Sequence, residues 1–363
     1  MISPLATQIP KVLKKADPFL FLAMLLLLTF GLTVILSTNP EAFGRQMLFA
    51  LTGFVIYIGV SLLDYRLLKA VSPGLYLGIL ALLALVLVSG AVTRGTVRWL
   101  EFGAGQFQPS EFSKIAVILV LASLFKQNIG SRLSLRVFFI SLALTTVPVV
   151  LVYFQPDLGT SIILLAIWLG VIVAAGLKPL YLFLMAFLGL GALVPLWSVL
   201  KDYQQERIIS FLNPALDPLG SGYNVLQAQI AVGSGQFWGR GFGRGPQSHL
   251  QFLPEHYTDF IFAALSEEWG LVGSIALLLF FAVLLGRILV VARSARDDFG
   301  TLIAVGVFSF LLPQIFINVG MNLGIMPITG IPLPLVSYGG SSLWVTMAAL
   351  GLVQSVAIRS KKL

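Results

Sequence analysis

Cysteine is absent from this chain, which removes disulfides and thiolate metal sites from consideration. Histidine is nearly absent: His249 and His256 are the only two, and they lack the i, i+4 spacing that brings two ligands to one helix face. Charge is scarce as well, with 10% of residues ionisable against 58% hydrophobic and a mean hydropathy of +0.95. No soluble globular domain has that balance. There is no internal repeat, low-complexity tail or soluble domain. The net charge of +8 does not point to nucleic acid, because the basic residues are scattered between apolar segments rather than gathered in a stripe.

What the chain does have is long apolar runs. A membrane span needs about 20 such residues, and ten segments approach that length: 19–37, 46–63, 72–90, 112–127, 136–154, 159–176, 179–199, 269–291, 301–319 and 340–358. The expected fold is therefore an all-α polytopic membrane protein of about ten transmembrane helices, folded as a single domain over 1–363. The first run is too long for a signal-peptide core and lacks a cleavage site, so it reads as a retained span. Ahead of it, Lys11, Lys14 and Lys15 form a basic amphipathic piece suited to an anionic leaflet.

Orientation follows from the basic residues. With both termini inside, the inner segments hold Lys11, Lys14, Lys15, Arg66, Lys69, Lys126, Arg132, Arg136, Lys178, Arg287, Arg293, Arg296, Arg359, Lys361 and Lys362, as the positive-inside rule requires. Only Asp17, Asp64, Asp297 and Asp298 among the acids fall there. The polar chemistry belongs to the outer face, in loops 91–111, about 200–268 and 320–339. The largest loop, between the seventh and eighth spans, is expected to hold short helices at 204–212 and 223–232. A helical extension over 259–268 is expected above the eighth span.

The most informative stretch is 318–342, N-V-G-M-N-L-G-I-M-P-I-T-G-I-P-L-P-L-V-S-Y-G-G-S-S. Pro327, Pro332 and Pro334, with five glycines, forbid a regular helix there. Irregular backbone at membrane depth is tolerated only where protein packs around it or a wet cavity adjoins it. The segment reads as a cavity wall.

Several ionisable groups stand near such a cavity, each with two readings. Glu111 and Lys114, in R-W-L-E-F-G-A-G-Q-F-Q-P-S-E-F-S-K from Arg98, are three apart on a helix that Pro109 and Ser110 suit for a start. They are either a functional pair or a snorkelling lysine beside an acid that favours the helix N-terminus. Asp157, in Q-P-D-L-G-T, is either an N-cap or a site residue. Arg45 either binds an anion or marks the interface. The glycine-rich G-R-G-F-G-R-G of 239–245, with Arg240 and Arg244, is either a phosphate cradle or a flexible loop. Asp259, in L-P-E-H-Y-T-D-F-I-F, enters an apolar wall, where a carboxylate suits general-base work; the alternative is a cap on the eighth span. His256 reads as a polar loop residue.

Five of these blocks together resemble the SEDS family (RodA, FtsW and SpoVE). They are Arg45-Gln46, R-W through P-S-E-F-S-K, Q-P-D-L-G-T, L-P-E-H-Y-T-D-F-I-F, and the 318–342 segment with its S-Y-G-G-S-S end, which includes Ser337 and Ser341. They run in order over nearly the whole chain, and the short N-terminal tail resembles the RodA-like branch. The resemblance implies a glycosyltransferase of the bacterial cytoplasmic membrane that polymerises lipid II on the outer face for cell elongation, beside a class B penicillin-binding protein that crosslinks the strands. It implies that Asp259 is essential and that Glu111, Lys114 and Asp157 take part. Arg45, Arg98, Asp157, Arg240, Arg244, Ser337 and Ser341 are then expected to bind substrate, with or without a divalent cation at the pyrophosphate. The alternatives are a division-type polymerase and a lipid flippase. Against the flippase stands the lack of an inverted repeat.

Overall fold

The computed structural model describes residues 15–89, 91–93, 96–102, 105–126, 133–200, 202–214, 221–250 and 252–360. Ten of its helices coincide with the ten apolar runs: α1 (Pro18–Thr38), α2 (Pro40–Leu62), α3 (Leu68–Ser89), α4 (Pro109–Phe125), α5 (Leu135–Phe154), α6 (Leu158–Ala174), α7 (Pro179–Val199), α11 (Ile261–Ser294), α12 (Asp298–Asn322) and α13 (Gly340–Ile358). Among the described residues, seven of these are long and apolar enough to cross a membrane; α4 and α6 are shorter, at 17 residues each. The basic segment before Lys15 lies outside the described residues.

Local chemistry sets the helix starts. Asp17 accepts hydrogen bonds from the Phe19 and Leu20 amides at 3.0 Å, with Pro18 at the first helical position. Asn39 and Pro40 do the same for α2, Ser134 for α5 and Asp297 for α12. Each satisfies an amide that the first turn leaves without a partner.

Packing places α12 at the centre, against α4, α6, α11 and α13, with α13 laid along α2 and α11 along α1. Outward faces remain apolar: Leu48, Leu51 and Val55 on α2, and Leu180, Phe183, Phe187 and Leu188 on α7, are exposed. An exposed apolar face of that extent is stable only against lipid.

The all-α expectation holds, with one small addition. In the loop before α4, strands β1 (Ala91–Thr93), β2 (Thr96–Phe102) and β3 (Gly105–Phe107) form a small antiparallel sheet, with Leu100 paired to Phe107 and Phe102 to Gly105. The β-branched and aromatic residues of T-V-R-W-L-E-F favour such pairing.

In the large loop the short helices form as expected, as α8 (Asp202–Leu212) and α9 (Ser221–Ser234), followed by one turn, α10 (Pro246–His249). The extension above the eighth span also forms, but α11 is kinked. Gly270 takes φ +64° and ψ −159°, which frees main-chain groups on both sides. The segment 236–241 fills them: the Arg240 and Gly241 amides donate to the Glu267 and Glu268 carbonyls at 2.9 and 3.0 Å, and Leu271 and Val272 donate to the Gln236 and Phe237 carbonyls.

The 318–342 segment is irregular between the end of α12 and the start of α13. Protein packs around it. A Cβ on Gly31 would meet the Val336 carbonyl oxygen at 2.5 Å, and one on Gly159 would meet Ile331 at 2.5 Å. Ile331, Leu333, Leu335 and Val336 are buried.

Candidate active site

Glu111 and Lys114 occupy the first turns of α4, and both are almost fully buried. The Lys114 ammonium sits 2.9 Å from each Glu111 carboxylate oxygen and 3.1 Å from Gln314 Oε1, with the Phe310 ring 5.6 Å away. A snorkelling lysine is therefore ruled out. The pair exists because each charge offsets the other's desolvation, and because the third ammonium hydrogen finds the Gln314 amide.

Gln314 turns its other end to the irregular segment, donating from Nε2 to the Pro332 carbonyl at 2.9 Å. One turn along, Asn318 donates to the Ile331 carbonyl at 2.7 Å and to the Asp259 carbonyl at 3.0 Å. A further turn along, Asn322 donates to the same Asp259 carbonyl at 3.2 Å and accepts from the Ala263 amide at 3.0 Å. Three buried amides at i, i+4 and i+8 on α12 thus join the Lys114 pair to the Asp259 main chain.

Asp259 itself lies in the turn before α11. The helix begins at Ile261, with Phe260 rather than Asp259 at the N-cap position. Its side chain is half-buried, and a Cβ on Gly330 would stand 3.6 Å from Asp259 Oδ2. The carboxylate therefore faces the left-handed Gly330 turn (φ +72°). Neighbouring residues tie the two segments together: the Tyr338 amide donates to the Tyr257 carbonyl at 2.9 Å, and Ser337 Oγ donates to the Thr258 carbonyl at 2.6 Å.

Asp157 is the N-cap of α6. Its carboxylate accepts from the Thr160 amide at 3.1 Å and from Thr160 Oγ1 at 2.9 Å, and it stands 3.9 Å from Arg98 Nη1. Ser110 Oγ and Gln108 Nε2 reach it at 3.3 Å. Arg98 also donates to the Gln155 and Pro156 carbonyls, pinning β2 to the α5–α6 turn.

The other candidates separate. Ser337 Oγ is engaged by Thr258 and by the Leu333 amide (2.8 Å), and Ser341 Oγ accepts from the Gln108 amide at 3.1 Å. Both hydroxyls hold main chain rather than facing outward. Arg45 is exposed on α2. Arg240 and Arg244 are exposed too, but the glycine loop is not a bare cradle: its amides donate to α11 carbonyls, to Ser37 Oγ and to Glu268. Glu268 also accepts from Ser37 Oγ and contacts His249 Nε2 at 3.3 Å, while Glu267 accepts from Gln247 and Ser248 at the start of α10. His256 is buried with both ring nitrogens against carbonyls, of Leu253 and Thr38.

Among the described residues, no three histidine or acidic side chains converge as metal ligands. Gln314 and Asn322 are the residues that sequence reasoning missed. Gln314 carried a signal, an amide side chain inside the apolar run 301–319, where an unpaired polar group is costly; Asn322 falls beyond that run, in the segment read as irregular, and carried none.

A family model described as a cell cycle protein family, FtsW/RodA/SpoVE, matches residues 17–362. The chain belongs to this family. It is 42% identical over 352 residues to the peptidoglycan glycosyltransferase MrdB of Escherichia coli (strain K12), spanning 96% of this chain and 95% of that one. It is 37% identical over 364 residues to the stage V sporulation protein E of Bacillus subtilis (strain 168), with 96% and 99% covered. Among solved structures, a peptidoglycan synthase complex that coordinates polymerization and crosslinking matches with a TM-score of 0.81 at 33% identity, over 94% of this chain and 97% of that one. The crystal structure of Thermus thermophilus RodA matches at 0.72 and 30% identity, over 94% and 96%. As an FtsW/RodA/SpoVE protein, the chain is a bacterial membrane protein and a peptidoglycan glycosyltransferase, and the flippase alternative is not favoured.

Proposed function

We propose that this glycosyltransferase polymerises lipid II into glycan strands at the outer face of the cytoplasmic membrane during elongation, with Asp259 as general base. The observation that carries the reading is the Asp259 turn: a half-buried carboxylate on a peptide held by two buried amides and facing the irregular segment. In the step, the acceptor sugar hydroxyl oxygen attacks the donor anomeric carbon. The bond from that carbon to the polyprenyl pyrophosphate breaks, the pyrophosphate leaves with the electron pair, and the hydroxyl proton passes to Asp259. Pyrophosphate is a stable anion, so its departure needs charge neutralisation rather than a proton, and one carboxylate suffices where most glycosidases use two.

Lys114, paired with Glu111, is linked through Gln314 to the Pro332 carbonyl of the irregular segment, and the pair is read as electrostatic support for the site. Arg45, Arg240 and Arg244 are exposed cations suited to an arriving pyrophosphate. Asp157, Arg98, Ser337 and Ser341 shape the site by holding β2, α6 and the irregular segment in register. A class B penicillin-binding protein is the proposed partner in the elongation machinery. Its support is the similarity to a complex that coordinates polymerization with crosslinking. Purified protein, alone and with that partner, is given lipid II in detergent. Glycan strands from wild type and none from a folded Asp259→Asn protein are expected. Wild-type strands from Asp259→Asn would refute the base assignment, and movement of labelled lipid II across proteoliposomes without strands would favour transport.

A further inference from the structure

Gln314, Asn318 and Asn322 lie on one stripe of α12 and are fully buried. Membrane-embedded amides are expensive unless each end is used. Here the uses are directional. Both Asn318 contacts are carbonyl oxygens, of Ile331 and Asp259, so its amide must present Nδ2 to them. Asn318 Oδ1 is left with no partner among the described residues. An apolar residue would avoid that cost, so the donors must have a use that exceeds it. Asn322 donates to the Asp259 carbonyl and to the Asn318 carbonyl (2.8 Å) while its oxygen caps the Ala263 amide in the first turn of α11. Gln314 joins the ammonium of Lys114 to the Pro332 carbonyl.

We infer that Gln314, Asn318 and Asn322 are positioning residues that fix the distance and orientation between the Lys114 charge and the Asp259 carboxylate. The inference rests on the reading of Asp259 as base. The two elements that carry these charges, α4 and the turn before α11, meet this stripe at different levels of α12, at Gln314 and at Asn318 and Asn322, and the irregular segment between α12 and α13 has no helix or sheet of its own to hold it. The amide stripe supplies that reference. Two donors on one carbonyl restrain the Asp259 peptide against rotation, and the Gln314 bridge restrains the Pro332 turn against Lys114. A displacement of about 1 Å at a reacting group costs about 100-fold in rate.

The test uses the full chain in detergent with lipid II, comparing wild type, Asn318→Ala, Asn322→Asp, Gln314→Ala and Asp259→Asn. Asn322→Asp keeps the acceptor for Ala263 but gives up the amide donors. The expected result is a fall in kcat of about 100-fold for Asn318→Ala and about 10-fold for Asn322→Asp and Gln314→Ala, with KM for lipid II within about two-fold of wild type. Should Asn318→Ala not fold, the other two variants decide the matter. Wild-type kcat in the amide variants, with Asp259→Asn inactive, overturns the positioning role and leaves the base standing. A rise in KM that tracks loss of melting temperature, with kcat unchanged, also overturns it by making the stripe purely structural. An active Asp259→Asn protein removes the base reading itself, an outcome separable from both.

Discussion

Gly239 and Gly270 meet backbone against backbone. A Cβ on Gly270 would press into the Gly239 amide nitrogen and lie 2.7 Å from the Phe237 carbonyl oxygen. Both glycines have left-handed φ, +82° and +64°. Through this contact the glycine-rich loop completes the hydrogen bonds that the α11 kink leaves open, so the loop is a wedge in the helix that carries the Asp259 turn.

Gly270→Ala combines backbone strain with overpacking and should cost about 3 kcal/mol or more. Gly243 also has positive φ (+72°), but a Cβ there meets nothing within 4 Å, so Gly243→Ala should cost only about 1 kcal/mol. Melting temperatures of the two variants in one detergent check this; equal shifts would contradict the wedge.

The buried Glu111–Lys114 pair makes a second prediction. Lys114→Met strands a buried carboxylate and Glu111→Gln strands a buried ammonium, each at a cost of about 3–5 kcal/mol. The double variant should regain most of that stability and none of the polymerase activity. Thermal melts with lipid II turnover on all three proteins read it out, and recovery of activity in the double variant would show that the charges serve folding alone.

Asp157 is expected to act through α6. Asp157→Ala removes the cap and the Arg98 contact at a cost of about 1–2 kcal/mol, whereas Asp157→Ser keeps an oxygen for the Thr160 amide and most of the stability. Turnover should follow stability across the pair. Loss of turnover in a stable Asp157→Ser protein would instead mark the charge as needed for substrate.

Arg45 is exposed on α2, so Arg45→Ala should leave the melting temperature unchanged. If its guanidinium meets the pyrophosphate, KM for lipid II rises several-fold and the salt dependence of KM weakens. Unchanged KM at low and high salt would remove Arg45 from the site.

Much of this architecture is legible in one sequence. The ten apolar runs all appear as helices, because solvation in lipid is a property of each residue and adds along the chain. Pro109 beside Ser110 marked the start of α4, and Pro327, Pro332 and Pro334 marked a break that no neighbour could mend. The sheet at 91–107 was less visible, since a short β2 does not announce its partners. At Asp259 the sequence left two readings open, a site carboxylate and a cap, because an acid ahead of an apolar helix resembles a cap; α11 starts two residues later, with Phe260 at the N-cap position.

What the sequence alone determined is where polar groups would be costly: Lys114, Gln314 and Asn318 all fall inside apolar runs. Which of them would offset one another was decided only by tertiary structure. Gln314 lies 200 residues from Lys114, and Asn318 lies 59 from Asp259. The reason is physical: transfer to lipid is set residue by residue, whereas a hydrogen bond needs two atoms within about 3 Å and in line, and only the packing of α4, α12 and the Asp259 turn brings them there.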